Sequence, residues 1–465
     1  MRKLVLISPI ERKTSLGAYK STSIAPLALA CIAALTPEDK YQISIIDEHI
    51  EPVNYPEADL VGITSYTAHI RRSYEVADEY RKRNVPVVMG GIHVSTMPDE
   101  ALEHCDAVVI GEAEGVWGRV LEDFEQGRLQ RKYQAEHLPL DNMPFPKRQY
   151  LKTDRYFWGM IQTSRGCPMD CSFCSVIMFN GRDFRRRKVE DVIAELSGIP
   201  QKFVIILDDN ILGHEVKDSR GNPIGKAWLR AFFEAVIKNK IRKYFYVQAS
   251  MKFGEDVGLL QLAYRAGVRL ALVGIESIEE ASLKAYCKNL NASYARRNCF
   301  LELISNIRKS GIAIVGCFIL GSDTDTKASF GRTLDFIRES GIDIIQVTKP
   351  TPLPGTRFYK ELFEQNRILD IRYPEAWKDY TFTRMLFKPR QLDIEDVYEG
   401  FHYIKMNFYA TPAKIKRFFR TLWDTKSLSS TAMMQVINHT YQKSFFDSDL
   451  YRDYDMRRLK EKFNP

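Results

Sequence analysis

Short apolar runs alternate with amphipathic stretches along the first third of the chain. The apolar runs at residues 4–8, 43–47, 60–64, 87–90 and 107–111 are rich in Val and Ile, which is typical of buried strands. Between them, apolar residues recur at helical spacing, for example over residues 25–35 and 70–83. Strands alternating with helices predict a Rossmann-like parallel sheet covered on both faces. We assign this α/β domain to residues 1–140.

A second alternating series begins after a proline-broken stretch at 141–155, which the pattern predicts to be a linker. Helical stretches such as 188–196 and 227–238 separate six β-rich runs, at 156–163, 203–207, 244–248, 270–275, 312–320 and 342–348. Six strand and helix units predict a partial (β/α)6, TIM-like barrel over residues 156–367, with its chemistry at the carboxyl ends of the strands. From 368 to 465 the chain predicts mostly helices, which we expect to pack their aromatic stripes on the barrel.

Length, charge and cysteine use narrow the setting of this α/β chain. A chain of 465 residues is longer than a single hydrophobic core usually supports, so more than one domain is expected. Its formal net charge of +8 is modest, and the basic clusters at 185–188 and 414–417 are interpreted as solvated faces, so no nucleic-acid partner is predicted. The longest apolar runs are too short to span a membrane, and the first residues do not resemble a signal peptide. Cysteines scattered through apolar segments indicate buried thiols and predict a reducing, cytoplasmic setting.

Three cysteines at the start of the second series carry the strongest chemical signal. Cys167, Cys171 and Cys174 are separated by three and then two residues. Thiolates held on one short loop can bind three irons of a [4Fe-4S] cluster, and the missing fourth cysteine leaves one iron open to a chelating ligand. The alternatives are a zinc loop or three structural thiols. Zinc prefers four protein ligands in structural sites, often supplied as paired CxxC units, and this loop lacks them.

This spacing, with the aromatic Phe173 just before the last cysteine, resembles the radical S-adenosylmethionine (SAM) superfamily. The resemblance implies that SAM chelates the open iron and that its reductive cleavage gives a 5'-deoxyadenosyl radical. It also implies an electron donor such as ferredoxin or flavodoxin. Phe173 would shield the cluster from water.

The same resemblance assigns SAM contacts to the carboxyl ends of the barrel strands. An acidic pair, Asp208 and Asp209, stands where the superfamily often has Gly-Gly-Glu and hydrogen-bonds the SAM amino group. The segments after the third and fourth strands would flank the ribose and the methionine carboxylate, and the fifth strand would pack on adenine. The residues concerned are Gln248, Ser250, Glu276 and Ile319. The alternative for each acid, Asp208 included, is a helix N-cap.

The strand ends of the N-terminal sheet are rich in small and hydroxyl residues. They are Thr64, Ser65 and Tyr66 after the third strand, Gly90, Gly91 and His93 after the fourth, and Gly111 and Glu112 after the fifth. Such residues let a large ligand approach the backbone, and the missing GxGxxG run does not favour a dinucleotide. A sheet of this kind directly before the cysteine loop resembles the cobalamin-binding domain of B12-dependent radical SAM enzymes. The resemblance implies that these residues contact cobalamin.

One apparent cobalamin motif does not hold. Asp47 and His49 nearly match the DxHxxG signature that supplies a histidine to cobalt, but Pro52 replaces the glycine and the segment follows the second strand. We therefore predict that His49 does not bind the cobalt. For His93 two interpretations stay open, a turn histidine satisfied by backbone groups and a contact with the cobalamin tail.

Together these features predict a cobalamin-dependent radical SAM C-methyltransferase that methylates an unactivated carbon. The alternative is a B12-associated radical oxidative cyclase, or another radical enzyme that transfers no methyl group. A methylthiotransferase is disfavoured, because only two cysteines precede the loop. A cobalamin-binding sensor with a degenerate barrel is disfavoured by the complete cysteine triad. No protein side chain is assigned an acid or base role, and tetrapyrrole, lipid, antibiotic precursor and peptide side-chain substrates all remain open.

Overall fold

The computed structural model describes residues 1–11, 24–141, 143–213, 224–446 and 454–464. The chain packs as two compact units. The first consists of Met1–Pro168, Phe173–Gln201 and Pro352–Leu386, and the second of Met169–Ser172, Lys202–Thr351 and Phe387–Pro465. The domain limits predicted at 140, 155 and 367 do not coincide with the boundaries of these units and stay a prediction.

The first unit contains a six-stranded parallel sheet. Its strands are β1 (Arg2–Ser8), β2 (Tyr41–Asp47), β3 (Leu60–Thr64), β4 (Val87–Gly90), β5 (Ala107–Ile110) and β6 (Lys132–Gln134). They lie in the order β2-β1-β3-β4-β5-β6. Strands β1 and β3 to β5 are apolar on both faces because helices cover both sides of a parallel sheet. The pattern did not predict β6, because its three residues are exposed, buried and exposed.

The first unit also contains helices, and those of the first hundred residues pack on this sheet. The helices of the unit are α1 (Leu27–Ala34), α2 (Ile70–Lys82), α3 (Ile92–Thr96), α4 (Pro98–His104), α5 (Trp117–Glu125), α6 (Val176–Asn180), α7 (Val189–Gly198) and, further along the chain, α14 (Arg357–Glu364). The core joins apolar side chains of β1, β3 and β4 to α2. The unit also holds β7 (Gly159–Ile161) and the antiparallel pair β8 (Ser164–Arg165) and β9 (Arg185–Arg186), which flanks the cysteine loop.

The second unit is built on five parallel strands in the order β14-β13-β12-β11-β10. They are β10 (Phe203–Ile206), β11 (Tyr244–Ala249), β12 (Val268–Glu276), β13 (Ala313–Ile319) and β14 (Ile344–Thr348). Helices between the strands are α8 (Ile224–Lys238), α9 (Val257–Ala266), α10 (Glu280–Ala285), α11 (Asn289–Arg296), α12 (Phe300–Lys309) and α13 (Lys327–Ser340). Parallel strands separated by helices place all five carboxyl ends on one edge, as the sequence predicted.

The C-terminal region of the second unit is helical, as predicted. Its helices are α15 (Ile394–Tyr409), α16 (Thr411–Thr425), α17 (Leu428–Phe446) and α18 (Met456–Phe463). Helix α15 buries much of its length. Helix α16 does not, and exposes large apolar side chains, so the expectation that the aromatic stripes pack inward is wrong for this helix. In the part of the chain that the structure describes, none of the helices has the length and apolar character needed to cross a membrane.

Candidate functional site

The carboxyl ends of β3 and β4 lie side by side in the first unit. Thr64 and Gly90 are register partners, and the Ser65 N–H donates to the Gly90 carbonyl at 3.1 Å. Gly91 follows with φ +100°, and a Cβ there would lie 2.7 Å from the Ser65 carbonyl oxygen. Only glycine fits this turn without strain. The predicted small residues therefore leave little side-chain bulk at the carboxyl edge of the sheet.

Tyr66 follows Ser65 at this edge of small residues. Its side chain is 70% exposed, whereas Ser65 beside it is buried and accepts a hydrogen bond from Ser73 Oγ at 2.8 Å. A large aromatic ring exposed at the carboxyl edge of a parallel sheet can pack on a flat ligand. These residues fit a bulky planar cofactor such as cobalamin.

His93 lies inside the first unit rather than at its surface. It is fully buried in α3, with Nδ1 3.2 Å from Thr67 Oγ1 and Nε2 3.2 Å from Glu100 Oε1. Burial lowers the pKa of His93, against the opposing effect of Glu100. Trp377 packs on the ring edge-on, at 5.1 Å between centroids. Both ring nitrogens of His93 thus have side-chain partners inside the unit. A role in holding this part of the fold fits His93 better than a direct contact with the cobalamin tail.

Asp47 and His49 sit at the end of β2. Asp47 accepts hydrogen bonds from the Tyr156 hydroxyl at 2.6 Å and from the His49 N–H at 3.0 Å. Burial raises the pKa of Asp47, opposed by these hydrogen bonds. The carboxylate is therefore used to hold Tyr156, just before β7. This arrangement agrees with its interpretation as a strand-end polar residue.

Glu112, at the end of β5, makes buried ion pairs with two arginines that flank the cysteine loop. Arg165 of β8 donates to Glu112 Oε2 at 2.9 Å and to Glu114 Oε1 at 2.5 Å. Arg185 of β9 donates to both Glu112 oxygens, with Nη1 2.9 Å from Oε2. Burial alone would raise the pKa of Glu112, but the two arginines hold it below its ordinary value. We call Glu112, Glu114, Arg165 and Arg185 the loop anchor.

The loop anchor was missed by the sequence interpretation. Residues 185–188 were expected to form a solvated face, and this is wrong for Arg185, whose side chain is only 12% exposed, and for Arg187, which is buried. Arg187 pairs with Glu195 at 2.5 Å, and Glu195 also binds Arg148. A run of arginines next to acidic strand ends was the available signal. Both oxygens of Glu112 accept hydrogen bonds from arginines, and its predicted contact with cobalamin stays a prediction.

The three loop cysteines lie within eight residues of one another and form no disulfide bond in the described structure. Cys171 is buried, while Cys167 and Cys174 are half-buried. Gly166 just before them has φ +86°, and a Cβ there would lie 2.1 Å from the Asp183 carbonyl oxygen. The Cys167 N–H donates to the Gly181 carbonyl at 3.2 Å. This hydrogen bond closes the loop at its base, and three cysteines on one short loop are the donor set that the predicted [4Fe-4S] cluster requires.

Three thiolates of a cluster each bind a different iron, so they need not surround one ion. Within the described ranges, no three His, Cys, Asp or Glu side chains gather around a position that a single metal ion could take. The Ser172 N–H donates to the Tyr286 carbonyl at 3.0 Å, which fixes the segment around Cys171 in the second unit. Phe173, predicted to shield the cluster, is half-buried.

Ser250, at the carboxyl end of β11, has a buried hydroxyl with no hydrogen-bond partner among the described residues. Its backbone N–H donates to Asn210 Oδ1 at 3.2 Å, and the Gln248 carbonyl accepts from the Ile211 N–H at 2.8 Å. The ends of β10 and β11 are thus tied together. A buried hydroxyl without a partner costs free energy unless a ligand satisfies it. Ser250 therefore fits the SAM contact that the sequence predicted.

Glu276 ends β12 in a strained backbone conformation, with φ +66° next to a register shift between β12 and β13. Its carboxylate accepts from Lys288 Nζ at 2.5 Å. Gly274 makes room for this pair, since a Cβ there would lie 2.6 Å from Glu276 Oε1. Strain of this kind is common at ligand sites. The Glu276 side chain is buried at this strand end.

The remaining predicted SAM residues lie at the same edge of the second sheet. Asp208 is fully buried and Asp209 half-buried directly after β10, and Ile319 is buried at the end of β13. Neither acid begins a helix in the described residues, so the N-cap alternative does not apply to them. Asp325, after β13, instead accepts hydrogen bonds from the N–H groups of Gly321 and Ser322, each at 2.8 Å.

Two protein families match separate parts of the chain. Residues 18–121 match the B12 binding domain, and residues 161–337 match the radical SAM superfamily. The first range covers β2 to β5 and the second begins at β7. The predicted cofactors, a [4Fe-4S] cluster, SAM and cobalamin, are those of these two families and are confirmed.

Two relatives match most of the chain. Bacteriochlorophyllide d C-8(2)-methyltransferase of Chlorobaculum tepidum is 29% identical, over 86% of this chain and 88% of its own. Bacteriochlorophyllide d C-12(1)-methyltransferase of the same organism is 28% identical, over 90% and 89% of the two chains. Both are named as methyltransferases, which confirms the predicted enzyme class.

A solved structure shows the same fold. The radical SAM methyltransferase TsrM of Kitasatospora setae, with cobalamin and a [4Fe-4S] cluster bound, has a TM-score of 0.65. It is 16% identical, and the match covers 95% of this chain and 99% of that one. The likeness confirms the predicted fold class, a Rossmann-like sheet followed by a second parallel sheet and a helical C-terminal region.

Proposed function

Because this chain is a B12-dependent radical SAM methyltransferase, we propose that it methylates an unactivated carbon of its substrate. When bound, the cluster and SAM supply the radical that abstracts hydrogen, and the cobalamin supplies the methyl group. The observation that carries the proposal is the loop anchor. It joins the carboxyl end of β5, in the B12-binding sheet, to the two strands that flank the cysteine loop.

In such radical chemistry, the main role of the protein is to hold the cofactors and the substrate in fixed positions. Radical reactions need little acid or base help, but their reacting atoms must be held at fixed separations. Arg165 lies two residues before Cys167, and its side chain is held by Glu112 and Glu114. Buried, multiply hydrogen-bonded ion pairs fix geometry more firmly than exposed ones. The loop anchor would therefore fix the two strands that flank the cysteine loop, β8 and β9, relative to the carboxyl end of β5 in the same unit.

The residues that would hold the cofactors follow from the two strand edges. Cys167, Cys171 and Cys174 would bind three irons. In the second unit, the Ser250 hydroxyl would donate a hydrogen bond to SAM or accept one from it, and the Glu276 carboxylate would accept hydrogen bonds from SAM. Asp208, Asp209, Gln248 and Ile319 share that edge, and Phe173 lies on the loop itself.

In the first unit, cobalamin would lie against the carboxyl edge of the sheet, where the strand-end residues are small. These residues are Thr64, Ser65, Gly90 and Gly91. Tyr66 would pack on the flat face of the cobalamin. Gly111, with φ +86° and its N–H donating to Ser95 Oγ at 3.0 Å, likewise adds no side-chain bulk at the end of β5.

The substrate we propose is a tetrapyrrole of the chlorophyllide type. The support is the names of the two relatives that match most of this chain, both bacteriochlorophyllide methyltransferases. A polycyclic lipid is the second class to try. The electron donor we propose is a ferredoxin or flavodoxin, which dithionite can replace in a first assay.

The test is an anaerobic assay of the reconstituted enzyme with SAM carrying a deuterated methyl group. A bacteriochlorophyllide d is the first substrate, and products are followed by mass spectrometry with 5'-deoxyadenosine measured in parallel. The expected result is a product heavier by one trideuterated methyl group. Formation of 5'-deoxyadenosine together with an unmethylated, oxidised product would refute methyl transfer and favour the cyclase alternative.

The Cys171→Ser variant is the matched control. Both product formation and 5'-deoxyadenosine formation should disappear in it, because the cluster would lose one ligand. If methylated product persisted in this variant, the reaction would not depend on the cluster, and the proposed mechanism would be wrong.

A further inference from the structure

Helix α16 exposes a continuous apolar stripe. Ile415, Phe419 and Trp423 are 55%, 63% and 81% exposed, and their spacing of four residues places them on one face. Leu428, at the start of α17, is 77% exposed. The stripe extends about 12 Å along the helix from the first residue to the third. Single exposed apolar residues are common, but a row of this kind on one helix is not.

The opposite face of α16 is fixed in the second unit, so the stripe cannot turn inward. Thr421 is buried and donates to Asp343 Oδ1 at 2.5 Å. Asp424 accepts from Arg308, and Arg420 donates to the carbonyls of residues 338 and 339, each at 2.8 Å. Because these bonds hold the polar face against α12 and α13, the apolar face points to solvent.

Basic residues border the stripe. Lys416 lies on its edge and is exposed, and Lys426 is exposed just beyond the last turn. A helix with Trp, Phe and Ile on one face and Lys or Arg beside them is the pattern of helices that lie in the interface of a membrane. Tryptophan favours that depth because its ring is apolar and its N–H is polar. Positive charge complements anionic lipid headgroups.

The size of the stripe argues against a stable dimer. Four side chains of these sizes and exposures offer on the order of 500 Å2 of apolar surface. A specific protein interface usually needs about 800 Å2 from each partner, in a patch with a well-packed centre. Shallow insertion into lipid has no such requirement.

We propose that α16 docks this enzyme on membranes that contain anionic lipid, with Ile415, Phe419 and Trp423 inserted among the acyl chains. Lys416 and Lys426 contact the headgroups. The inference does not depend on the proposed methyl transfer, because it concerns where the enzyme sits rather than what it catalyses.

The test is co-sedimentation of the full-length protein with vesicles of phosphatidylcholine alone and of phosphatidylcholine mixed with phosphatidylglycerol. Binding is expected to the mixed vesicles and to weaken as salt is added. Phe419→Ser and Trp423→Ser should each weaken binding by about tenfold or more, since each removes an aromatic ring that would insert among the acyl chains. Lys416→Gln and Lys426→Gln should each weaken it by about fivefold.

Matched controls come from exposed residues elsewhere in the second unit. Val257→Ser removes an apolar side chain that is 43% exposed on α9, and Lys238→Gln removes an exposed charge on α8. Neither should alter vesicle binding, which would attribute the effect to α16. Equal binding by the Trp423→Ser variant and the unchanged protein would overturn the proposal.

A second copy of the chain is the competing occupant, and the same variants test it. Light scattering after gel filtration is expected to give a monomer for both the unchanged protein and the Trp423→Ser variant. A dimer that Trp423→Ser dissociates, with no binding to either kind of vesicle, would overturn membrane docking. Failure of the methylation assay alone would leave the vesicle result unaffected, so the two proposals fail separately.

Discussion

The Glu112→Gln substitution tests the loop anchor directly. Glu112 is 5% exposed and binds both Arg165 and Arg185, so its removal leaves two buried cations short of a counter-charge. Removing one partner of a buried ion pair costs about 3–5 kcal/mol. Glutamine keeps one oxygen acceptor and Arg165 keeps Glu114, so we expect the lower end, about 3 kcal/mol. For a unit of this size the melting temperature should fall by about 6–12 °C.

Two measurements check this expectation. Thermal unfolding gives the stability loss, and the rate at which iron is released to a chelator reports whether the cysteine loop has loosened. Iron release should become faster in Glu112→Gln. Glu122→Gln, an exposed glutamate on α5, is the matched control and should change stability by less than about 0.5 kcal/mol.

The pH dependence supplies an independent check with a defined sign. The pKa of Glu112 is lowered in the folded state by the arginines, despite burial. The contribution of Glu112 to the free energy of unfolding is therefore fully present above its pKa in the unfolded chain, about 4.3. It is lost as the pH falls through the lower pKa of the folded state. The stability gap between the unchanged protein and Glu112→Gln should narrow below about pH 4.3. A gap that stayed constant down to acid unfolding, or a gap below about 1 kcal/mol at neutral pH, would refute the reasoning.

Three further predictions concern other parts of the two strand edges. Ser250→Ala should weaken SAM binding by about fivefold with little change in melting temperature, because its hydroxyl has no partner in the described chain; unchanged affinity in a dialysis assay would remove Ser250 from the site. Gly91→Ala should lower both the melting temperature and the cobalamin content, since its Cβ would meet the Ser65 backbone, whereas Gly118→Ala, with nothing within 4 Å, should do neither. Burial lowers the pKa of His69 to about 4 in the folded state. The unfolded chain therefore binds a proton at His69 before the folded protein does, and about 3 kcal/mol of the free energy of unfolding should be lost as the pH falls from about 6.5 to about 4. Denaturant titrations across this range should show a shallower pH dependence in His69→Gln, and identical slopes would contradict the assignment.

The strands that the sequence predicted best are those whose apolar run is bounded by turn residues. The runs at 60–64 and 87–90 match β3 and β4, because each ends at a polar or glycine residue where the sheet ends. The run at 156–163 shrinks to Gly159–Ile161, and three aromatic residues, 156–158, precede the paired segment without joining it. Hydrophobicity alone cannot place that limit.

The cysteine loop and the small strand-end residues could be identified because their chemistry is local. Glu112 shows where this fails. Its position was predicted, but its partners Arg165 and Arg185 come from segments 53 and 73 residues away, and only the fold brings them together. The same holds for the missing partner of Ser250, which no single segment reveals. For α16, the row of Phe419 and Trp423 was visible, but whether it faced the core depended on Thr421 and Asp424.

The most direct measurement is the cofactor content of one anaerobically reconstituted sample. Iron, acid-labile sulfide and cobalt would be determined on the same protein after gel filtration. About four iron, four sulfide and one cobalt per chain are expected, with iron and sulfide lost but cobalt retained in Cys171→Ser. A chain that retained neither iron nor cobalt, or whose iron content did not respond to Cys171→Ser, would contradict the assignment of a cluster and a cobalamin to this enzyme.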